Sequence, residues 1–175
     1  TGSLTFIYDQ WLDVGDSERP NAVFAAIYRR SGARFILHVR SASTMAMSIL
    51  GKTVYPYLDD LAQIAGPDIR CARHWENRRQ PAAIAKALTG RNAALLEDCG
   101  GFCTGKTADD VAAAALLLEK GCEAALYAKL LSDCEPLNPV DARLQRLIYQ
   151  TKYSRKKEGQ AQSREASGQE EDEIC

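Results

Sequence analysis

The stretch that most constrains the fold is residues 92–133. An apolar run, NAALLEDC, is followed at once by GGFCTGKT and then by ADDVAAAALLLEKGCEAALYAKLLSD. A short apolar run bounded by turn residues reads as a buried strand. The last segment is built from Ala, Leu, Glu and Lys, the strongest helix formers, and reads as one long helix that only Gly121 interrupts. A strand feeding a long buried helix is the signature of an α/β chain.

The middle segment, Gly100 to Thr107, also fits the phosphate-loop pattern G-x-x-x-x-G-K-[ST]. Such a loop works by leaving glycine-rich backbone amides free to converge on one anion at a helix start. Here Phe102 and Cys103 favour burial in a strand. Thr107 and Asp110 have the spacing of a helix N-cap with its acidic partner, which leaves Lys106 in a turn outside the helix. No apolar strand ending in a magnesium-holding Asp follows. Nucleotide binding through Gly100–Thr107 is kept as an alternative of a different class.

Upstream, NAVFAAIYRR (21–30) has helical periodicity and stops before Ser31-Gly32, and RFILHVRS (34–41) reads as a buried strand with polar groups at its far end. ASTMAMSILG reads as a helix to Gly51. TVYPYLDD reads as a strand or extended segment broken at Pro56, and DIRCA as a second extended piece. PAAIAKALTG begins with Pro81 at a helix start and ends at Gly90. A last helix, NPVDARLQRLIYQTKY, takes Asn138 as cap and Pro139 as first residue. From Ser154 the chain loses apolar periodicity, so residues 1–153 are expected to form one domain and 154–175 a disordered polar tail.

With 22 Lys and Arg against 23 Asp and Glu, the net charge of −1 gives no electrostatic case for nucleic acid or an anionic membrane. No apolar run is long enough to span a bilayer and the start lacks a signal-peptide layout, so a cytoplasmic protein is expected. Six cysteines, at 71, 99, 103, 122, 134 and 175, form no CxxC pair. That usage fits a reducing compartment better than a disulfide framework.

GRNAALLEDCGGFCTGKTADDVAAAALLLEKGCEAALYAKLL resembles the class II aldolase/adducin family, in which an apolar strand, an Asn-His-Gly turn, a short strand, Gly-Lys-Thr and a long helix follow in that order. AAIYRRSGARFILHVRSASTMAMSILGKTVYPYLDD is similar to the family's helix, loop and metal-bearing strand with the helix after it. The resemblance spans residues 21–153. It implies a three-layer α/β/α fold around a mixed, largely antiparallel sheet, and a ring-like homo-oligomer, a tetramer, with the site between subunits. It also implies that the chain is N-terminally short, because the family's first helix and phosphate-holding turn have no counterpart before Thr1.

Enzymes of that family hold a divalent metal, usually zinc, on a His-x-His pair and a third His. The metal polarises a sugar-phosphate carbonyl while a Glu moves the proton. By resemblance the first His is His38, the second position is Arg40, and the third is Cys99. Glu18, in Asp16-Ser17-Glu18, lies near the position of the family's acid. Arg has no lone pair to offer and repels a cation, so His38 and Cys99 are the only metal candidates of the three. The expectation is therefore a domain that has lost metal-dependent lyase activity and needs no cofactor. It acts as a binding or assembly module for a protein partner or a small anion, with Arg40 holding the anion. The alternative is a sugar-phosphate aldolase or epimerase with zinc or another divalent metal on an altered ligand set. Arg40 paired to Glu18 or Asp98, His38 hydrogen-bonded within the fold, and a Cys99 thiol activated by its neighbours are further readings of the same residues.

Overall fold

The computed structural model describes residues 8–13, 22–73, 80–131 and 134–152. Glu18 and the tail 154–175 lie outside them. Five strands form one sheet in the order β1-β2-β5-β4-β3, where β1 is Tyr8–Asp13, β2 Phe35–Val39, β3 Cys71–Ala72, β4 Ala93–Leu96 and β5 Gly100–Gly105. β1 with β2, β2 with β5 and β5 with β4 are antiparallel; only β3 with β4 is parallel.

Alternation across the pleat sends neighbouring side chains to opposite layers. On one face Ile36, Ala94, Leu96 and Phe102 pack with Phe24 and Ile27 of α1 (Ala22–Ser31) and with Ile84, Ala87 and Leu88 in and after α3 (Gln80–Ala87). On the other face Leu37, Val39, Ala93, Leu95 and Cys103 pack with Met47 of α2 (Ala42–Ile49) and with Val111, Ala114, Leu118 and Cys122 of α4 (Ala108–Leu131). The result is the expected α/β/α sandwich with a mixed, largely antiparallel sheet. Residues 139–152 form a further helix, α5, opened by the Asn138 cap, whose Oδ1 accepts from Val140 N at 2.8 Å.

The structure adds an edge strand and a π-helical turn to the elements read from sequence and corrects one of those readings. Tyr8–Asp13 pairs with β2 as an edge strand. TVYPYLDD and DIRCA are extended as expected and meet in an isolated bridge, Val54 to Ile69, and after Pro56 the chain turns helical. A π-helical turn at Leu61–Ala65 follows, with Gly66 N donating to Leu61 O at 3.0 Å. Gly100–Gly105 is a strand with ladder partners on both sides, so its amides do not converge as an anion-binding loop. Thr107 and Asp110 form the capping box: Asp110 N donates to Thr107 Oγ1 at 3.1 Å and Thr107 N to Asp110 Oδ2 at 3.2 Å.

The correction concerns Gly121, which does not interrupt α4. A β-carbon there would lie 2.5 Å from Leu61 Cδ2, and Leu61 is fully buried. The glycine is what lets the π-helical turn sit against the helix. Gly121→Ala should gain helix propensity yet lose more to the overlap, a net destabilisation of about 1–2 kcal/mol. Urea unfolding of the two proteins side by side measures it, and a more stable alanine variant would contradict this account.

Candidate functional site

β2 brings His38 to the end of the sheet where Val39 pairs with Gly101. The His38 ring stacks on Phe102 of β5, with centroids 4.5 Å apart and planes within 6°. Phe102 in turn meets Phe24 edge-on at 5.7 Å. The turn between β4 and β5, with Asp98 at φ 60°, carries Cys99 back over the strand end. His38 Nε2 lies 2.7 Å from the Cys99 carbonyl oxygen. A carbonyl only accepts, so Nε2 carries a proton and donates, and it has no lone pair for a metal while this bond holds.

Arg40 follows the last residue of β2 and is exposed, with its side-chain stem passing over Gly100. The structure thus brings His38, Arg40 and Cys99 together at one sheet end. Among the described residues no three His, Cys, Asp or Glu side chains are grouped as a metal site. A proton-bearing Nε2, a guanidinium and one thiol are a donor set that does not fit a catalytic divalent metal, which takes three protein ligands. Glu18 lies outside the described residues.

The idea of an activated Cys99 thiol is corrected. Burial pushes the thiol above its ordinary value, Asp98 adds to the rise, and Arg40 opposes it without prevailing. The thiol is therefore protonated at neutral pH and a poor nucleophile. Alkylation by iodoacetamide, mapped by mass spectrometry, should be slower at Cys99 than at exposed Cys134, and Asp98→Asn should speed it.

A residue that sequence reasoning missed holds this end of the fold together. Glu119, on the buried side of α4 and only 7% exposed, accepts hydrogen bonds from the first turn of α2. Thr44 N donates at 3.0 Å, Thr44 Oγ1 at 2.8 Å and Ser43 N at 3.3 Å, with Ser41 Oγ a further donor. The carboxylate caps α2 from the neighbouring helix of the same layer, satisfying amides that the N-cap residue Ser41 leaves to it. The one available signal was an acid at i+4 from Ala115 and i−3 from Cys122, on the stripe that otherwise faces the core.

Burial pushes the Glu119 carboxyl up, but the bonds from Ser41, Thr44 and Ser43 outweigh it and hold the group below its ordinary range. A depressed folded value means this contribution is complete above the unfolded carboxyl range, about 4.5, and is lost as pH falls through the folded value. Glu119→Ala should cost about 2–3 kcal/mol by stranding four donors. Thermal melts from pH 7 to 3 should show a shallower acid loss in Glu119→Gln than in wild type.

An α/β/α sandwich with these positions at the C-terminal end of β2 defines a fold class found among sugar-phosphate aldolases. The sequence matches the family described as the Class II Aldolase and Adducin N-terminal domain over residues 8–126, and the chain belongs to that family. The solved structures of L-fuculose 1-phosphate aldolase include one with a TM-score of 0.67 at 17% identity, covering 77% of this chain and 66% of that one. The L-fuculose-1-phosphate aldolase of Thermus thermophilus gives 0.57 at 21% identity, covering 67% and 68%. An aldolase II superfamily protein of Pseudomonas syringae gives 0.57 at 17%, covering 83% and 62%. The chain thus spans about two thirds of the length of these relatives. Comparison with curated proteins gives no match. No helix among the described residues is long and apolar enough to cross a membrane.

Proposed function

We propose that this class II aldolase-family domain has given up metal-dependent lyase chemistry and serves as a binding or assembly module, with Arg40 holding a small anion. The observation that carries the reading is the guanidinium beside His38 and Cys99 at the strand end. The Arg40 guanidinium supplies positive charge where the family's metal would supply it. Its planar fork suits a carboxylate or phosphate held by two parallel bonds. A tetrameric ring, a single domain over residues 1–153 and a cytoplasmic setting belong to the same proposal.

The His38 ring, held between Phe102 and the Cys99 carbonyl, acts here as a structural peg for the turn. The aldolase or epimerase alternative would need His38 to release that bond and to find further ligands beyond Cys99. The names of the structural relatives are what keep it in play.

Elemental analysis of the purified protein beside an Arg40→His/Cys99→His variant tests the proposal. The wild type should carry no stoichiometric metal and the variant should gain about one zinc per chain, as three imidazoles form a catalytic-type ligand set. Stoichiometric metal in the wild type, lost on His38→Ala and accompanied by aldol cleavage of a sugar phosphate, would overturn it.

A further inference from the structure

A cavity of about 800 Å³ opens at the other end of the sheet, where Phe35 pairs with Gly105. It is separated from His38 and Arg40 by the length of β2, roughly 15 Å at about 3.4 Å per residue. The end of α1, the loop after α3, the start of α4 and helix α5 enclose it. Among the described residues four cations line it: Arg30, Arg91, Lys106 and Arg146.

Arg91 is already neutralised, with Nη2 at 2.6 Å and Nε at 3.0 Å from the two carboxylate oxygens of Asp68. Arg146 is not. It is only 8% exposed, yet every group it bonds is neutral: Nη1 donates to the carbonyls of Gln63 and Ile64, both at 2.7 Å, and Nη2 to Asn92 Oδ1 at 3.0 Å. Its Nε–H is buried without a hydrogen-bond partner among the described residues. A buried charge normally has a counter-ion, because neutral dipoles offset only part of its lost hydration.

The groups at the mouth point the same way. Arg30 donates to Thr89 Oγ1, an uncharged acceptor, and among the described residues neither Arg30 nor Lys106 meets a carboxylate. The N-terminal turn of the 24-residue α4 adds its partial positive charge. Of the two acids on the wall among the described residues, Asp110 is engaged by the cap at Thr107, which leaves Asp109 as the opposing charge.

We propose that this cavity is a second, separate binding site that takes a small phosphate- or carboxylate-bearing compound, seated between Lys106 and Arg30 with Arg146 behind it. The bound anion is the counter-ion that the guanidinium of Arg146 lacks among the described residues. Lys106, the lysine of the phosphate-loop lettering, thereby faces an anion through a different geometry: a side-chain cation at a cavity mouth instead of a ring of backbone amides.

The test is titration calorimetry of the whole chain with inorganic phosphate, citrate and ATP in low-salt, phosphate-free buffer. It is done in an Arg40→Ala background so that only this cavity is read. At least one probe should bind saturably. Lys106→Ala and Arg30→Ala, at exposed positions that leave the fold intact, should each weaken it about tenfold, the loss of one charge-assisted bond. Asp109→Asn should tighten it. Binding of phosphate and ATP without citrate assigns a phosphate compound, and binding of citrate alone a carboxylate. No saturable binding of any probe, or binding untouched by Lys106→Ala and Arg30→Ala together, would overturn the site. Both results stand apart from the fate of Arg40.

Discussion

The close contact between β5 and α4 is the constraint on which the rest of the structure depends. β5 is the central strand, paired on both edges and buried on both faces. A β-carbon on Gly101 would lie 2.4 Å from Leu118 Cδ2 and 3.0 Å from Thr44 Cγ2, so only glycine admits α4 and α2 to this face at once. That approach brings Glu119, one residue beyond Leu118, under the first turn of α2. The same strand fixes the register of β2 and therefore where His38 and Arg40 emerge.

The two ends of β5 treat charge in opposite ways. At the Gly100 end a buried carboxylate is saturated by hydroxyl and amide donors, and its charge also favours the positive end of α2. At the Gly105 end a buried guanidinium is held by carbonyls and an amide oxygen, none of which carries charge. The first arrangement is self-sufficient and stabilises the scaffold. The second leaves a positive potential in a cavity, which is the physical condition for taking up an anion. Family resemblance directs attention to the first end, and the unbalanced charge directs it to the second.

Much of the layer structure was legible in local pattern. NAALLEDC carries no polar residue between Ala93 and Leu96, as a strand covered on both faces requires. Thr107 with Asp110, and Asn138 with Pro139, announced helix starts because capping is settled by side chains three residues apart or fewer. The edge strand Tyr8–Asp13 was not legible, since YDQWLD has the composition of a strand or a loop and only β2 beside it decides. The π-helical turn at LAQIA was missed for the same reason: its close seat on α4 depends on Gly121 and Leu61 meeting across 60 residues of chain.

By itself, the sequence determined most of the element types, the capped helix starts and the family. These depend on side-chain pattern and short-range spacing, which a linear sequence carries in full. Only the tertiary structure decided that His38 donates to the Cys99 carbonyl, that Asp98 and burial outweigh Arg40 at the thiol, and that Glu119 caps α2. It alone placed Arg146 behind Lys106 and Arg30. Each of these is a balance of charge, desolvation and hydrogen bonding between residues remote in sequence, and such a balance exists only once the layers have been brought together.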